Sequence, residues 1–336
     1  MVTGRDFELM IMERLGSSWT EAPVPNVSIK DLSLEAISQF KNMGLSCGRL
    51  TNEEAELGSE ELLEKLDLIR DGMMVRSAVL LFHPNPSRIM GPTSVKMGMF
   101  DGSDLLYMDE FTGPLIFTAN RAIDTLLTKC MFRPVKYDGI VRKEIPPYPE
   151  PAIREALMNA IVHNDYSSHV PIQVKVFAKT LTIYNEGGLP KGWTVDRLMG
   201  QHKSLPRNPS LASAFFRAGL IEAFGRGIGT IMKQYEGHED LRPVFESDQG
   251  FSITFKSALS DEGVCDDDTC SDASMQGERI LEFIRKNGPS TYLEVSSATG
   301  IGVRQIQRLI GPMVEAGDIR KQKRGRNIVL SLEAMH

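Results

Sequence analysis

Apolar residues in the first third of the chain recur at helical spacing over 33–42 and 60–70, with Gly72 placed to end the second helix in a left-handed turn. An apolar run at 77–82 and a mixed stretch at 93–100 predict two strands, and 113–130 predicts a further helix. From Pro149 onward the periodicity sharpens. Ile153, Leu157, Ala160 and Ile161 fall at i, i+4, i+7 and i+8, one stripe of a helix that Pro149 and Pro151 suit at its start. Ile172, Val174 and Val176 alternate, as do Leu181 and Ile183, so a hairpin follows and leads into Asn185-Glu186-Gly187-Gly188-Leu189-Pro190. Asn208 is placed to cap, and Pro209 to begin, a helix running to Arg217 and stopped by Gly219. Phe224-Gly225-Arg226-Gly227-Ile228-Gly229-Thr230 then enters a helix reaching Tyr235.

The last sixty residues have a different rhythm. A helix over 278–286 ends at Asn287-Gly288-Pro289, and Ser290 caps a short second helix that Gly300 closes. The third helix, 303–316, turns Val303, Ile306, Leu309, Ile310 and Met313 inward and leaves Arg304, Gln305, Gln307 and Arg308 available. Two short strands flank Lys323-Arg324-Gly325-Arg326. This is the spacing of a winged helix-turn-helix, in which the third helix enters the major groove and Arg320, Lys321, Lys323, Arg324 and Arg326 grip phosphates. A winged helix used for protein contact or dimerisation has the same pattern.

Charge separates these parts. The whole chain carries a formal −6, which argues against nucleic-acid binding over its entire surface. Residues 258–276, however, hold six acidic residues and no Lys or Arg, while 277–336 hold ten basic against six acidic. The acidic stretch lacks hydrophobic periodicity and reads as a mobile linker. At 336 residues and 41% hydrophobic side chains, the chain is expected to divide into 1–135, a mixed α/β region; 136–257, the domain holding the Pro149 helix and its glycine loops; the linker 258–276; and 277–336. The longest apolar run is about six residues, against the roughly 20 needed to cross a bilayer, and charges interrupt the amino end. A cytoplasmic protein with no membrane partner is expected. Four cysteines without zinc spacing read as reduced thiols.

Candidate chemistry centres on the Pro149 helix. Glu155 and Asn159 are four apart and project together, with His163 one turn further. A glutamate accepts a proton from an attacking water, and an asparagine carbonyl oxygen suits the hard Mg²⁺ that accompanies nucleotide phosphates. A solvated polar face fits the same spacing. The glycines after Asn185 and at 225–229 let backbone approach a ligand, and a glycine turn at a helix start offers free N–H groups; a tight turn is the plain alternative.

The order of these pieces, with the block Arg154-Glu155-Ala156-Leu157-Met158-Asn159-Ala160-Ile161-Val162-His163-Asn164-Asp165-Tyr166, then Gly187-Gly188-Leu189-Pro190 and Arg207-Asn208-Pro209, resembles the transcriptional regulators related to Schlafen-type and RecG-like proteins. Their ATPase-like domain is a divergent branch of the GHKL superfamily of gyrase and sensor histidine kinases. The resemblance covers about residues 75–257 and implies an α+β chain: a GHKL-like α/β sandwich between the first region and the winged helix. It implies ATP and Mg²⁺ as ligands, Glu155 as general base, Asn159 as Mg²⁺ ligand, Gly225, Gly227 and Gly229 in the phosphate lid, and Gly187 and Gly188 on the adenine side. His163, Asn185, Arg207 and Asn208 complete the nucleotide site.

Two departures stand out: Asn185 replaces the superfamily's adenine-reading Asp, and Asn164 replaces the family's usual Arg. The separate nucleic-acid domain that begins longer relatives is not expected here. The function expected is that of an ATP-binding, DNA-binding transcriptional regulator, at most a weak ATPase. It is not a P-loop helicase, since no G-x-x-x-x-G-K-[ST] occurs. The alternative is a DNA-binding or interaction protein whose ATPase-like domain is an inactive scaffold for a homo-oligomer.

Overall fold

The computed structural model describes residues 4–131, 135–138, 141–144, 146–200, 203–222, 225–258, 270–315, 317–324 and 327–332. A six-stranded mixed sheet organises the first 256 residues. Its strands are β1 (Val95–Asp101), β2 (Asp104–Phe111), β3 (Ile172–Val176), β4 (Thr180–Glu186), β5 (Val244–Ser247) and β6 (Gly250–Lys256), in the order β2-β1-β3-β4-β6-β5. Neighbours are antiparallel except β1 and β3, which run parallel from the pair Val95 and Ile172 to the pair Met99 and Val176. The first region therefore supplies two strands of the same sheet that carries the glycine loops.

Helices cover the sheet in layers. Among the helices, in chain order, are α1 (Gly4–Leu15), α2 (Leu34–Ser46), α3 (Arg76–Phe82), α4 (Leu115–Thr125), α5 (Glu150–His163), α6 (Pro209–Arg217) and α7 (Gly227–Lys233). α4 and α5 lie on the sheet and against each other, and α3, α6 and α7 pack upon them. Burial follows the strand period. Leu181, Ile183 and Asn185 are buried while their neighbours along β4 are less so, which puts Asn185 on the helix-covered face.

α5 is enclosed on nearly every side, from Ala152 and Ile153 to Ile161 and Val162, and Glu155 is only 8% exposed. The solvated-face reading of its polar row is thereby set aside, because α7 covers that face. A helix apolar or enclosed all round belongs to an interior.

Several expected elements differ. Residues 77–82 are helix α3, not a strand: a short apolar run does not distinguish a buried strand from a buried helix, and here every residue from Ser77 to Phe82 is buried. The helix expected over 60–70 spans Ser59–Lys65, and the chain then forms the two-stranded ladder Ile69–Arg70 with Met73–Met74. Asp71 (φ 51°) and Gly72 (φ 71°) are both left-handed, so Gly72 belongs to a hairpin turn rather than to a helix end. The helix over 113–130 is α4 followed by a π turn at Leu126–Cys130. Strands β2 and β5 carry no clean alternation, so periodicity does not predict them; β6 does alternate, through Phe251, Ile253 and Phe255, but is not among the expected elements.

Beyond residue 258 the chain forms α8 (Cys270–Asn287), β7 (Ser290–Thr291), α9 (Tyr292–Thr299), α10 (Val303–Glu315), β8 (Ile319–Arg324) and β9 (Asn327–Leu332), with the small sheet ordered β7-β9-β8. α8 begins six residues before the expected end of the acidic linker, and 259–269 lie outside the described residues. The cap of α9 is Thr291, whose hydroxyl accepts from the Glu294 N–H while Glu294 accepts from the Thr291 N–H; Ser290 sits in β7 instead. Ile280, Ile284, Val295, Ile306 and Ile310 form the core of this unit. Its Tyr292 is fully buried, near Asp101 and Asp104 at the β1–β2 turn, and α9 and β9 lie against β2. Among the described residues no helix is long and apolar enough to cross a membrane. Cys47 and Cys130 are not joined in a disulfide, Cys130 donating to Met97 Sδ at 3.6 Å, and Cys265 falls outside the described residues.

Candidate nucleotide site

Between α5, the ends of β4 and β6, the 187–209 loops and the start of α7 lies a cavity of about 640 Å³. It falls within the few hundred to roughly 1,000 Å³ typical of small-molecule sites. Asn159, His163, Asn185, Gly187, Gly188, Arg207, Asn208, Gly225 and Gly227 all border it. Their separation in sequence is closed by the sheet, which brings the end of β4 beside the end of α5.

At one end stands Asn159, with the buried Glu155 behind it: Glu155, expected as the general base, is bonded to Asn159 but does not itself border the cavity. Asn159 Nδ2 donates to Glu155 Oε1 at 3.0 Å, which turns the Asn159 carbonyl oxygen away from Glu155. Burial raises the Glu155 carboxyl above its ordinary range, the Asn159 hydrogen bond opposes this, and the negative charge of Glu222 adds to the rise. A Cβ on Gly227 would stand 2.3 Å from Glu155 Oε1 and 2.8 Å from Asn159 Nδ2, so only glycine lets α7 approach the pair this closely. Gly227→Ala is expected to lower stability by about 1–3 kcal/mol, the usual cost of overpacking. Chemical denaturation measures it; a variant as stable as wild type would show that the pair moves aside freely.

The other end is held by α5's last turn. Asn164 Oδ1 accepts from the Glu186 N–H at 3.1 Å, and the Asp165 N–H donates to the Glu186 carbonyl at 2.9 Å. Asp165 Oδ1 in turn accepts from the Ser167 N–H at 3.0 Å, and Arg207 Nη1 lies 4.0 Å from Asp165 Oδ2. Arg207 Nη2 donates to the Gly188 carbonyl at 2.9 Å, and Gly187 adopts φ 84° beneath the guanidinium, where a Cβ would stand 2.6 Å from Nε. His163 is pushed down to about 4, first by burial and then by the charge of Arg207; it is a neutral ring in the cavity wall.

Not every expected residue has the expected part. Asn208 borders the cavity, but its amide is already engaged: Nδ2 donates to the Val162 and Asn164 carbonyls at 2.8 Å each, and Oδ1 accepts from Thr20 Oγ1 at 3.3 Å. It latches the α6 start to α5 rather than offering groups to a ligand. Asn185 Nδ2 likewise donates to the Glu186 carbonyl at 2.9 Å, which leaves its Oδ1 as its acceptor. Gly229 does not border the cavity, and a Cβ there would meet nothing within 4 Å. Phe224 lies outside the described residues. Sequence reasoning misses Met12, Trp19, Glu21, Trp193 and Phe251, all of which line the cavity. One weak signal exists: the chain has two tryptophans, and both are here.

In the C-terminal unit Arg308, Arg320, Lys321 and Lys323 are exposed. Gln305 and Gln307, expected to be available, are not: Gln305 Nε2 donates to Gln276 of α8, and Gln307 Nε2 is buried. α8 begins early enough to reach over this part of α10, which a linker extending to 276 does not allow. Nothing is described of the Arg304 and Arg324 side chains, and Arg326 lies outside the described residues.

The fold is a mixed α/β domain with a cavity at one end of its sheet, and its ATPase-like character is supported by a family model. Residues 169–255 match the family model described as "Putative ATP-dependent DNA helicase recG C-terminal". That segment contains β3 to β6, the glycine loops and α7, while α5 and the β1–β2 pair precede it. The fold is similar to that of the DIP2311 protein from Corynebacterium diphtheriae, with a TM-score of 0.58 and 20% identity over 97% of this chain. The chain spans 66% of that protein's length. No match is found among curated proteins.

Proposed function

We propose that the protein binds a magnesium nucleotide in this cavity and DNA through a C-terminal winged helix, and acts as a nucleotide-responsive transcriptional regulator. The observation that carries the reading is Asn159, which borders a cavity of nucleotide size beside Gly227 and is bonded to the buried Glu155 behind it. The residues fit the ligand. Asn159 keeps a carbonyl oxygen for a hard cation, and the cradle at Gly227 is one that a Cβ would fill. Among the described residues no group of three or more His, Cys, Asp or Glu could hold a metal ion, so Mg²⁺ would be held jointly by Asn159 and the phosphates of the nucleotide. The ion would neutralise phosphate charge. Glu155, buried and raised in pKa, is suited to take a proton from water at the same end, which allows a weak ATPase.

Calorimetric titration with ATP and ADP, each with and without Mg²⁺, tests the reading. Saturable Mg²⁺-dependent binding is expected. No binding would favour the alternative of an inactive scaffold for a homo-oligomer, a reading to which the amide at Asn185 lends weight.

For DNA, the support is the exposed basic strand Arg320, Lys321 and Lys323 together with Arg308. Replacing Arg320, Lys321 and Lys323 by Gln is expected to weaken duplex binding and to reduce the slope of log K against log salt by about one for each phosphate no longer neutralised. Fluorescence anisotropy over a salt series reads this, and an unchanged slope would remove the strand from the interface.

A further inference from the structure

We propose that residues 12–21 complete the nucleotide cavity and that Trp19 is its aromatic wall at the nucleoside end, an inference that rests on the nucleotide-binding reading above. The segment borders the cavity through Met12, Trp19 and Glu21, although it is more than a hundred residues from every other lining residue. It is fastened at several points. Arg76 holds it by an ion pair to Glu8 at 2.7 Å, by a hydrogen bond to the Trp19 carbonyl at 3.3 Å and by its backbone N–H to the Ala22 carbonyl at 2.9 Å. Thr20 is fully buried against Asn208, and Glu21 pairs with Arg70 at 3.0 Å.

The Arg76 guanidinium also lies over the Trp19 ring, 4.0 Å from its centroid. Trp19 borders both the large cavity and a smaller one of about 350 Å³, whereas Arg76 borders only the smaller. Arg76 therefore backs the ring from that side and leaves its other side to the large cavity.

The position of the ring along the cavity follows from hydrogen bonds. Thr20 donates to Asn208, Asn208 donates to the Asn164 carbonyl, and Asn164 accepts from Glu186 beside Asn185. All of these lie at the last turn of α5, about 6 Å along the helix from Asn159, the member of the pair that borders the cavity. The amide that suits Mg²⁺ and phosphate, with the carboxylate behind it, thus stands at one end, and the indole stands at the other. A planar heterocycle, a nucleobase, matches a fixed aromatic surface there.

The test is calorimetry on the full chain with ATP and with inorganic tripolyphosphate, each with Mg²⁺, for wild type, Trp19→Ala and Trp19→Phe. Trp19→Ala is expected to weaken ATP about tenfold or more, the scale of a lost base–aromatic stack. Tripolyphosphate binding should be unchanged, and Trp19→Phe should retain most of the ATP affinity. Should Trp19→Ala not fold, Trp193→Phe leaves Trp19 as the sole indole, and its emission is expected to change saturably with ATP. Unchanged ATP affinity in Trp19→Ala, an equal loss for both ligands, or a flat Trp19 emission at saturating ATP would overturn the inference. Wild-type protein that binds no ATP would instead overturn the nucleotide reading on which it stands.

Discussion

Asn159→Ala is expected to weaken Mg²⁺-dependent ATP binding on the order of a hundredfold, about 2.7 kcal/mol, while Glu155→Gln leaves binding close to wild type. The two residues share one hydrogen bond but have different tasks. Asn159 offers the oxygen that a hard cation needs, and no neighbouring cluster of carboxylates or imidazoles among the described residues would replace it. Glu155 is 8% exposed, raised in pKa and already an acceptor from Asn159, so its amide replacement preserves shape and removes only the base. Any hydrolysis would disappear with it. Calorimetry on both variants decides: an Asn159→Ala protein that binds ATP like wild type would remove Asn159 from the cation site.

Asn208→Ala is expected to cost about 3 kcal/mol of stability. The Asn208 side chain is 3% exposed, and its removal leaves the Val162 and Asn164 carbonyls without their side-chain donor and leaves Thr20 with Ser18 as its remaining side-chain partner. Buried polar groups left unmet cost about 1–3 kcal/mol each, more than the net worth of the bonds themselves. Because the same amide joins α5, α6 and the amino-terminal segment, the effect should be seen in the global denaturation midpoint and not only in local fraying. Chemical denaturation checks it, and a loss under about 0.5 kcal/mol, within the range of surface substitutions, would contradict the latch.

Much of the site is legible in the sequence because its signals are local. The i, i+4 spacing of Glu155 and Asn159, the alternation through Leu181 and Ile183, and the Asn208-Pro209 helix start each depend on a few adjacent residues. Sequence fails where tertiary packing decides. The polar row of α5 looks solvated in sequence and is covered by α7; the apolar run at 77–82 is a helix because it is enclosed on all sides; β2 and β5 lack a clean two-residue pattern. Trp19 is invisible for a further reason. Its part in the cavity depends on Arg76 and Asn208, and no spacing rule connects residue 19 with residue 208.

The parallel pairing of β1 with β3 also sets an order of events during synthesis. Val95 meets Ile172, and β6 closes on β4 only when Lys256 has been made, so the sheet has no finished form while the chain is still emerging through its middle. The β1–β2 hairpin can close at once, but until β3 arrives β1 offers a row of unpaired backbone groups to any other strand nearby. Pairings of this kind raise contact order and slow folding. A nascent chain of this design is thus most exposed to misassociation between the emergence of residue 111 and that of residue 176, and conditions that slow elongation there should be felt in the yield of folded protein before any change in the finished molecule.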